Sequence, residues 1–373
     1  MDTEVLIVGG GLSGLYAAYR LAQQDVEFQL LEARDRLGGR ICGAAYPGDA
    51  RPALYDLGPA WVWPDFQPRI ARLIRELDLS VFEQFLHGDM LHEQAAGDLV
   101  TRSSGPSPMR GSYRVSGGTQ ALVTALTERL PANHVRLSSP LHRLRQRDGR
   151  IEAHRGDGSA AAVLASRVLL ALPPRLIAGT MAFEPPLPEP LRRELVSAPT
   201  WMAGHAKIVA LYDRPFWREQ GLSGEAFSRR GPMTEIHDAS PVHGGPFALF
   251  GFVGHAPGER RSIGEAALLS TALAQLQRLF GAPAATPLAT FVKDWARDPY
   301  TATELDLAPL GHHPEYGPPQ QAIGSWSGQL HLAGSEFAAA HGGYLEGALE
   351  AVDGILQTLR GIPGQGEDRI PGR

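Results

Sequence analysis

Cysteine is almost absent from this chain. The single thiol, Cys42, cannot close an internal disulfide, and one cysteine excludes a multi-cysteine zinc or iron-sulfur centre built by one chain. Long apolar runs are also missing: no stretch approaches the 18 or more residues that a membrane-spanning helix needs. Positive charge is not in excess, with a formal net charge of -5 and no basic run that would draw the chain to nucleic acid or an anionic membrane. The adjacent histidines His312-His313 sit in a Gly/Pro loop without carboxylates or histidines at ligand spacing, so no metal site is expected. The opening residues, Met1-Asp2-Thr3-Glu4, are acidic and run straight into an apolar segment, leaving no room for a secretion signal. The cytoplasm is the expected location.

Hydrophobic residues make up 43% and charged residues 20% of the chain, ordinary usage for a globular protein. At 373 residues the chain exceeds what one hydrophobic core supports, and roughly two domains are expected. The 43 glycines and 30 prolines fit many tight turns, although a GC-rich genome produces the same bias.

Residues 5–8 form a short β-branched run, followed by Gly9-Gly10-Gly11-Leu12-Ser13-Gly14 and a helical pattern at Leu15, Ala18, Leu21 and Ala22. A second strand over 26–31 ends on Glu32, completing a βαβ unit with a parallel sheet. In the G-x-G-x-x-G string, Gly9 permits the tight turn and Gly11 lets backbone approach a pyrophosphate. Gly14 allows the helix to pack closely on the strand, and the phosphates sit at the helix N-terminus beside Leu12 and Ser13. Glu32 then binds the ribose hydroxyls.

Further along, 69–79 and 121–130 read as helices, and 135–137, 141–144 and 168–172 as strands, with a turn at Asp148-Gly149. Residues 97–112, rich in Gly, Ser and Pro, read as a loop or domain crossing. Pro173-Pro174 halts a strand, and a proline-dense crossing over 185–190 suggests a boundary. Strands are expected at 206–212, 247–253 and 291–295, and a long amphipathic helix at 265–280. Residues 330–336 followed by 347–359 repeat the strand, turn, helix pattern. The polar end of the sequence is expected to be disordered.

Beyond Glu32, the string Leu31-Glu32-Ala33-Arg34-Asp35-Arg36-Leu37-Gly38-Gly39-Arg40 resembles the extended fingerprint of the flavin monoamine oxidase superfamily. There Gly-Gly-Arg continues from the ribose acid toward the flavin, and Arg40 would set a cation near the pyrophosphate. Leu57-Gly58-Pro59-Ala60-Trp61 resembles the family's flavin-contacting turn, and Tyr113-Arg114-Val115-Ser116-Gly117-Gly118 its re-entry into the cofactor domain. Leu332-Ala333-Gly334-Ser335-Glu336 and Gly343-Tyr344-Leu345-Glu346-Gly347-Ala348 are similar to its closing motif.

The resemblance implies FAD and an α/β fold: a Rossmann-like FAD-binding domain with a parallel sheet, plus an α+β substrate domain with a mixed sheet. It assigns 1–78, 113–173 and 325–361 to the first, 79–112 and 174–324 to the second, and 362–373 to the tail. Besides the residues of these motifs, it carries Leu141, Trp295 and Tyr300 into the cofactor site.

Lys207, in Gly204-His205-Ala206-Lys207-Ile208-Val209 with Pro215-Phe216-Trp217 following, is similar to the family lysine that holds a water at flavin N5. A strand lysine on a solvent face is the alternative. Tyr344 matches one tyrosine of an aromatic cage around the amine, but its partner is missing, the second cage position falling near Leu305. Glu304 stands where some members attach flavin through a thioether, so the FAD is expected to be noncovalent. Cys42 reads best as a small buried hydrophobe. His341 borders the flavin or makes a loop-stabilising hydrogen bond.

Only 52 residues separate Trp61 from Arg114, which implies a short member that has lost a helical lid. Its pocket is then open to solvent or a bulky substrate, or closed by another subunit in a homodimer. The implied activity is oxidation of a small-molecule amine at a C-N bond by hydride transfer to flavin N5, with O2 or another acceptor and with H2O2 and imine as products. Three alternatives stay open. They are a carbon-carbon desaturase, an amino acid oxidase, which needs an arginine for the carboxylate, and a flavin-binding partner protein with little turnover.

Overall fold

Val5, Leu6, Ile7 and Val8 are all buried, as a strand covered on both faces requires. In the computed structural model, which describes residues 2–47, 54–95, 99–156, 161–243 and 245–360, they belong to the strand Asp2–Val8. It lies between Phe28–Leu31 and Ala161–Leu170 and runs parallel to both. Eight strands form this sheet. Ala161–Leu170 pairs antiparallel with Arg150–Arg155 over its first half and parallel with Leu330–Leu332 over its second. The hairpin Leu141–Arg147/Arg150–Arg155 turns at Asp148-Gly149, both with positive φ (51° and 75°), the backbone of a two-residue primed turn.

Helix Leu12–Ala22 covers one face together with Pro68–Glu76, Gln120–Thr127 and Leu345–Arg360. Leu15, Ile70, Leu122, Leu126 and Leu349 are fully buried between them. Each such side chain contributes roughly 1.5–3 kcal/mol relative to exposure. On the opposite face Leu6, Val8, Leu31 and Leu144 pack against Leu191, Leu195 and Trp326. Two helices supply that second layer, Pro174–Thr180, which has proline in its first turn, and Glu189–Ser197.

The second sheet has seven strands, in the spatial order Ala289–Asp294, Ala206–Tyr212, Phe247–Val253, Met233–Asp238, Leu222–Ser228, Asp89–Glu93 and Val100–Ser103. It is mixed, since Leu222–Ser228 and Asp89–Glu93 run parallel while the other pairs are antiparallel. Helix Glu265–Phe280 packs Leu268, Ala272 and Leu276 against Ile208, Ala210 and Tyr212. Side chains alternate across a strand, so Val209 and Leu211 point the other way, toward Tyr55 and Leu57. Lys207 shares their parity. Period and register therefore aim the one charged side chain of an otherwise apolar strand at the space between the sheets.

The structure departs from the sequence-based expectation at two places. Within 97–112, expected to be loop, Val100–Ser103 is a strand pairing with Asp89–Glu93. It is an edge strand whose Thr101 and Arg102 face solvent, so it carries no apolar alternation to read; residues 96–98 lie outside the described residues. Ala182–Glu184, expected in the substrate domain, pairs with Leu141–Arg147 in the first sheet. The proline clusters marked chain turns there rather than a change of core. The expected tail, 362–373, lies outside the described residues. Among those residues no helix is long and apolar enough to cross a membrane.

Candidate active site

The two sheets enclose a cavity of about 500 Å³ that reaches from the glycine turn to Lys207. At the turn, Gly9 adopts φ +105°. A Cβ on Gly14 would lie 1.9 Å from the carbonyl oxygen of Gly9, so only glycine lets the helix approach the strand this closely. Gly11 differs: a Cβ there would meet only the Cα of Gly39, at 3.9 Å, and would project into the cavity, which Gly11 lines. No side chain caps helix Leu12–Ala22, whose first residues, Leu12 and Ser13, line the cavity.

The Glu32 carboxylate is buried at the end of Phe28–Leu31. Its Oε2 accepts from the Gly10 amide at 2.6 Å and its Oε1 from the Arg34 amide at 2.8 Å. Arg34 donates to Asp298 (2.6 Å) and Thr301 (3.0 Å), with its guanidinium over the Tyr300 ring. Arg40 makes a two-pronged pair with Glu336 at 2.7 and 3.0 Å and also donates to Ser335 Oγ. Burial works against the charge of Arg40, but Glu336 outweighs it and holds the guanidinium pKa above its ordinary value.

At the other end, Lys207 is 2% exposed, so the solvent-facing alternative does not hold. Its Nζ donates to the carbonyl oxygen of Gly58 at 3.2 Å and lies 3.8 Å from the ring centroid of Phe250. Burial pushes its pKa down to about 7, with Asp56 opposing and Arg114 adding to the shift.

A glycine turn, a helix N-terminus without a side-chain cap, a buried acid at a strand end and a buried lysine thus border one cavity. The model of the family described as flavin containing amine oxidoreductase matches residues 104–352, and that of an NAD(P)-binding Rossmann-like domain matches 7–77. The chain belongs to the flavin-containing amine oxidoreductase family. It is a flavin-dependent oxidoreductase with FAD as its cofactor, and the open space at Gly11 and the helix N-terminus without a side-chain cap fit that group.

Probable flavin-containing monoamine oxidase A of Dictyostelium discoideum is 29% identical over 248 residues. That alignment covers 64% of this chain and 51% of the relative, so it spans about half of that protein. The L-amino acid dehydrogenase of Synechocystis sp. is 24% identical across 96% of this chain and 95% of its own. A solved structure of wild-type putrescine oxidase bound to putrescine shares the fold, with a TM-score of 0.78 and 22% identity over 96% of this chain and 99% of that one.

In this amine oxidoreductase frame, Gly39, Gly58, Pro59, Ala60, Trp61, Trp295, Tyr300, Gly334, Ser335, Gly343 and Leu345 all line the cavity. Gly9, Gly14, Ala33 and Glu336 do not. Two of these shape the turn, Ala33 is half-buried beside Glu32, and Glu336 stands behind Arg40. Leu141 lies elsewhere, in the core of the first sheet with Leu6 and Val8.

Tyr344 lines the cavity with the His313 ring stacked parallel to it at 4.8 Å and Trp201 at 6.2 Å. Leu305, near which the second cage position was expected, is 53% exposed and lines no part of the cavity. Glu304 is exposed beside it. Cys42 is half-buried against the Tyr55 and Phe250 cluster. His341 makes the loop-stabilising contact, with its amide and Nδ1 each 3.2 Å from Glu350. Among the described residues no three His, Cys, Asp or Glu side chains group as metal ligands. Between Trp61 and Arg114 the described residues hold a single helix, Pro68–Glu76.

Trp63, Met109, Trp201, His205, Glu235 and Phe252 also line the cavity, and none was foreseen as a site residue. Trp201 and His205 lie just upstream of Lys207, a nearness that could have suggested them. Glu235 and Phe252 arrive through strand register, which a single sequence does not display.

Proposed function

We propose that the enzyme oxidises the C-N bond of a small amine, with oxygen as acceptor and imine and hydrogen peroxide as products. The observation that carries this reading is Lys207, a lysine whose pKa burial lowers to about 7 and which faces the cavity from an apolar strand. FAD, when bound, supplies the acceptor for the two electrons and the hydrogen on the carbon beside nitrogen. The chain's part is positioning and exclusion. Aromatic walls at Trp61, Trp201, Phe252 and Tyr344 favour an amine that has shed its extra proton, because a charged ammonium is costly to desolvate there. Lys207 sets a titratable cation beside the turn at Gly58.

An amino acid substrate is disfavoured. The two cavity-lining arginines, Arg34 and Arg40, are committed to Asp298 and Glu336, so neither is free to clamp an α-carboxylate. Anaerobic mixing of the FAD-loaded protein with amines, amino acids and alcohols tests the proposal. Amines are expected to bleach the flavin and to release peroxide once air returns. Bleaching by amino acids alone, or by nothing, overturns it.

We also propose a cofactor half comprising 1–78, 113–197 and 325–361, and a substrate half comprising 79–112 and 198–324. The FAD is proposed to be noncovalent, since Glu304 offers no thiol. Denaturation is expected to release the flavin completely; fluorescence left on the denatured protein band would contradict this.

A further inference from the structure

The short interval between Trp61 and Arg114 left open what covers the pocket. Within it, residues 104–112 join the strands Val100–Ser103 and Tyr113–Val115. Gly105, Pro106, Pro108, Arg110 and Gly111 are exposed, so one side of this segment meets solvent. Met109 is the one residue of the segment that lines the cavity, and it is 7% exposed. A segment with solvent on one side and the cavity on the other is a cover.

The segment is tied down along its length. Ser104 Oγ donates to Asp89 at 2.7 Å, and the carbonyl oxygen of Ser112 accepts from the Gln84 amide at 3.1 Å. Between these ends, Ser107 Oγ donates to Oε1 of Glu225 at 2.7 Å and accepts from the Met109 amide at 2.9 Å. Glu225 is fully buried, so this bond holds the middle of the segment inward and Met109 with it. The same carboxyl group fixes which end of the cavity is covered. Its Oε1 lies 3.7 Å from Nδ1 of His237, whose ring packs edge-on against Trp61 at 5.0 Å. Trp61 in turn lies 5.3 Å from Phe250, the ring that Lys207 Nζ approaches to 3.8 Å. Met109 therefore stands over the Lys207 end and not over the nucleotide end.

We propose that Met109 is a specificity-determining residue: segment 104–112, latched by Ser107 onto Glu225, takes the place of a helical lid, and the methionine side chain limits the bulk of the amine that fits beneath it. This rests on the amine reading above. The cofactor shares the cavity of about 500 Å³, so the room left to the substrate is set by the wall opposite it. An unbranched thioether fills such a gap without asking for a polar partner. Slender alkylamines are accepted, and amines on a bulky aryl skeleton are turned away.

FAD-loaded wild type, M109A and M109F are compared on butylamine and 1-naphthylmethylamine by anaerobic flavin bleaching, taking the bleaching rate over the half-saturating amine concentration. M109A is expected to raise the naphthylmethylamine-to-butylamine ratio by roughly 10- to 100-fold, and M109F to lower it. A ratio that neither variant moves overturns the inference. The latch is read without any amine. Added hydrogen peroxide converts accessible methionine to its sulfoxide, and peptide mass mapping follows Met109 against Met202, which lines the same cavity. S107A loses a hydrogen bond to a buried carboxyl group and is expected to speed Met109 oxidation, relative to Met202, by roughly 10-fold or more. S107T, which keeps the hydroxyl, should restore protection. Equal rates in wild type and S107A overturn the latch. Bleaching of wild type by neither amine removes the amine reading and the selectivity with it, and the cover then stands or falls on the peroxide result.

Discussion

Replacing Lys207 by methionine is expected to slow the oxygen half-reaction by roughly 100- to 1,000-fold, the scale of losing one preorganised charge or donor from a reacting site. Anaerobic bleaching by the amine should change far less, because the lysine acts where reduced oxygen acquires negative charge. The pH profile carries the sign. Burial lowers the Lys207 pKa to about 7, so the side chain is charged below that pH and neutral above it. In wild type the oxygen half-reaction should therefore fall as pH rises through about 7, whereas an ordinary lysine would hold its charge to about pH 10. The methionine variant should show no such step.

Asp56 favours the ammonium from its buried position, where its Oδ1 accepts from the backbone and hydroxyl of Thr119. Asp56→Asn removes that support and should move the midpoint to lower pH. Stopped-flow mixing of the reduced protein with oxygen reads all three proteins. An unchanged rate in the methionine variant, or a flat wild-type profile, removes the assigned role.

The second large effect separates two glycines of one motif. Gly14→Ala forces a Cβ to within 1.9 Å of the Gly9 carbonyl oxygen, so strand and helix must part. A loss of about 3 kcal/mol or more is expected, lowering the Tm of the FAD-free protein by roughly 6–12 °C. Gly11→Ala meets no such obstacle within the protein. Its Tm without FAD should stay within about 2 °C of wild type, yet FAD loading should fail because the methyl group enters the space assigned to the pyrophosphate. Thermal melts of the FAD-free proteins and flavin absorbance after reconstitution check both. Normal loading of Gly11→Ala would place the phosphates elsewhere.

These glycines also mark how far the residues could be read unaided. Gly9, Gly11 and Gly14 act through their own backbone over a few positions, so strand, turn and helix could be recognised together. The strands Ala206–Tyr212 and Phe247–Val253 and the helix Glu265–Phe280 stand where their apolar patterns placed them, because an unbroken run or a 3.6-residue period is a local property. Lys207 was singled out by the resemblance of its segment to the family, and the strand pattern left open whether it faced solvent.

Folding alone decided the remainder. Val100–Ser103 and Ala182–Glu184 are short strands whose partners are distant in sequence or carry no pattern. Leu141, carried into the cofactor site by the resemblance, went to the core, and Leu305, near the position where the cage partner is missing, went to the surface. Glu235 faces the same space as Lys207 because two antiparallel ladders bring Phe252 and then Glu235 into line with it. The sequence by itself determined the strand, glycine turn and helix proposed to hold the nucleotide, since they are built from consecutive backbone groups. The far end of the cavity was decided by strand register, because side chains from separate strands meet there only once the sheet has formed.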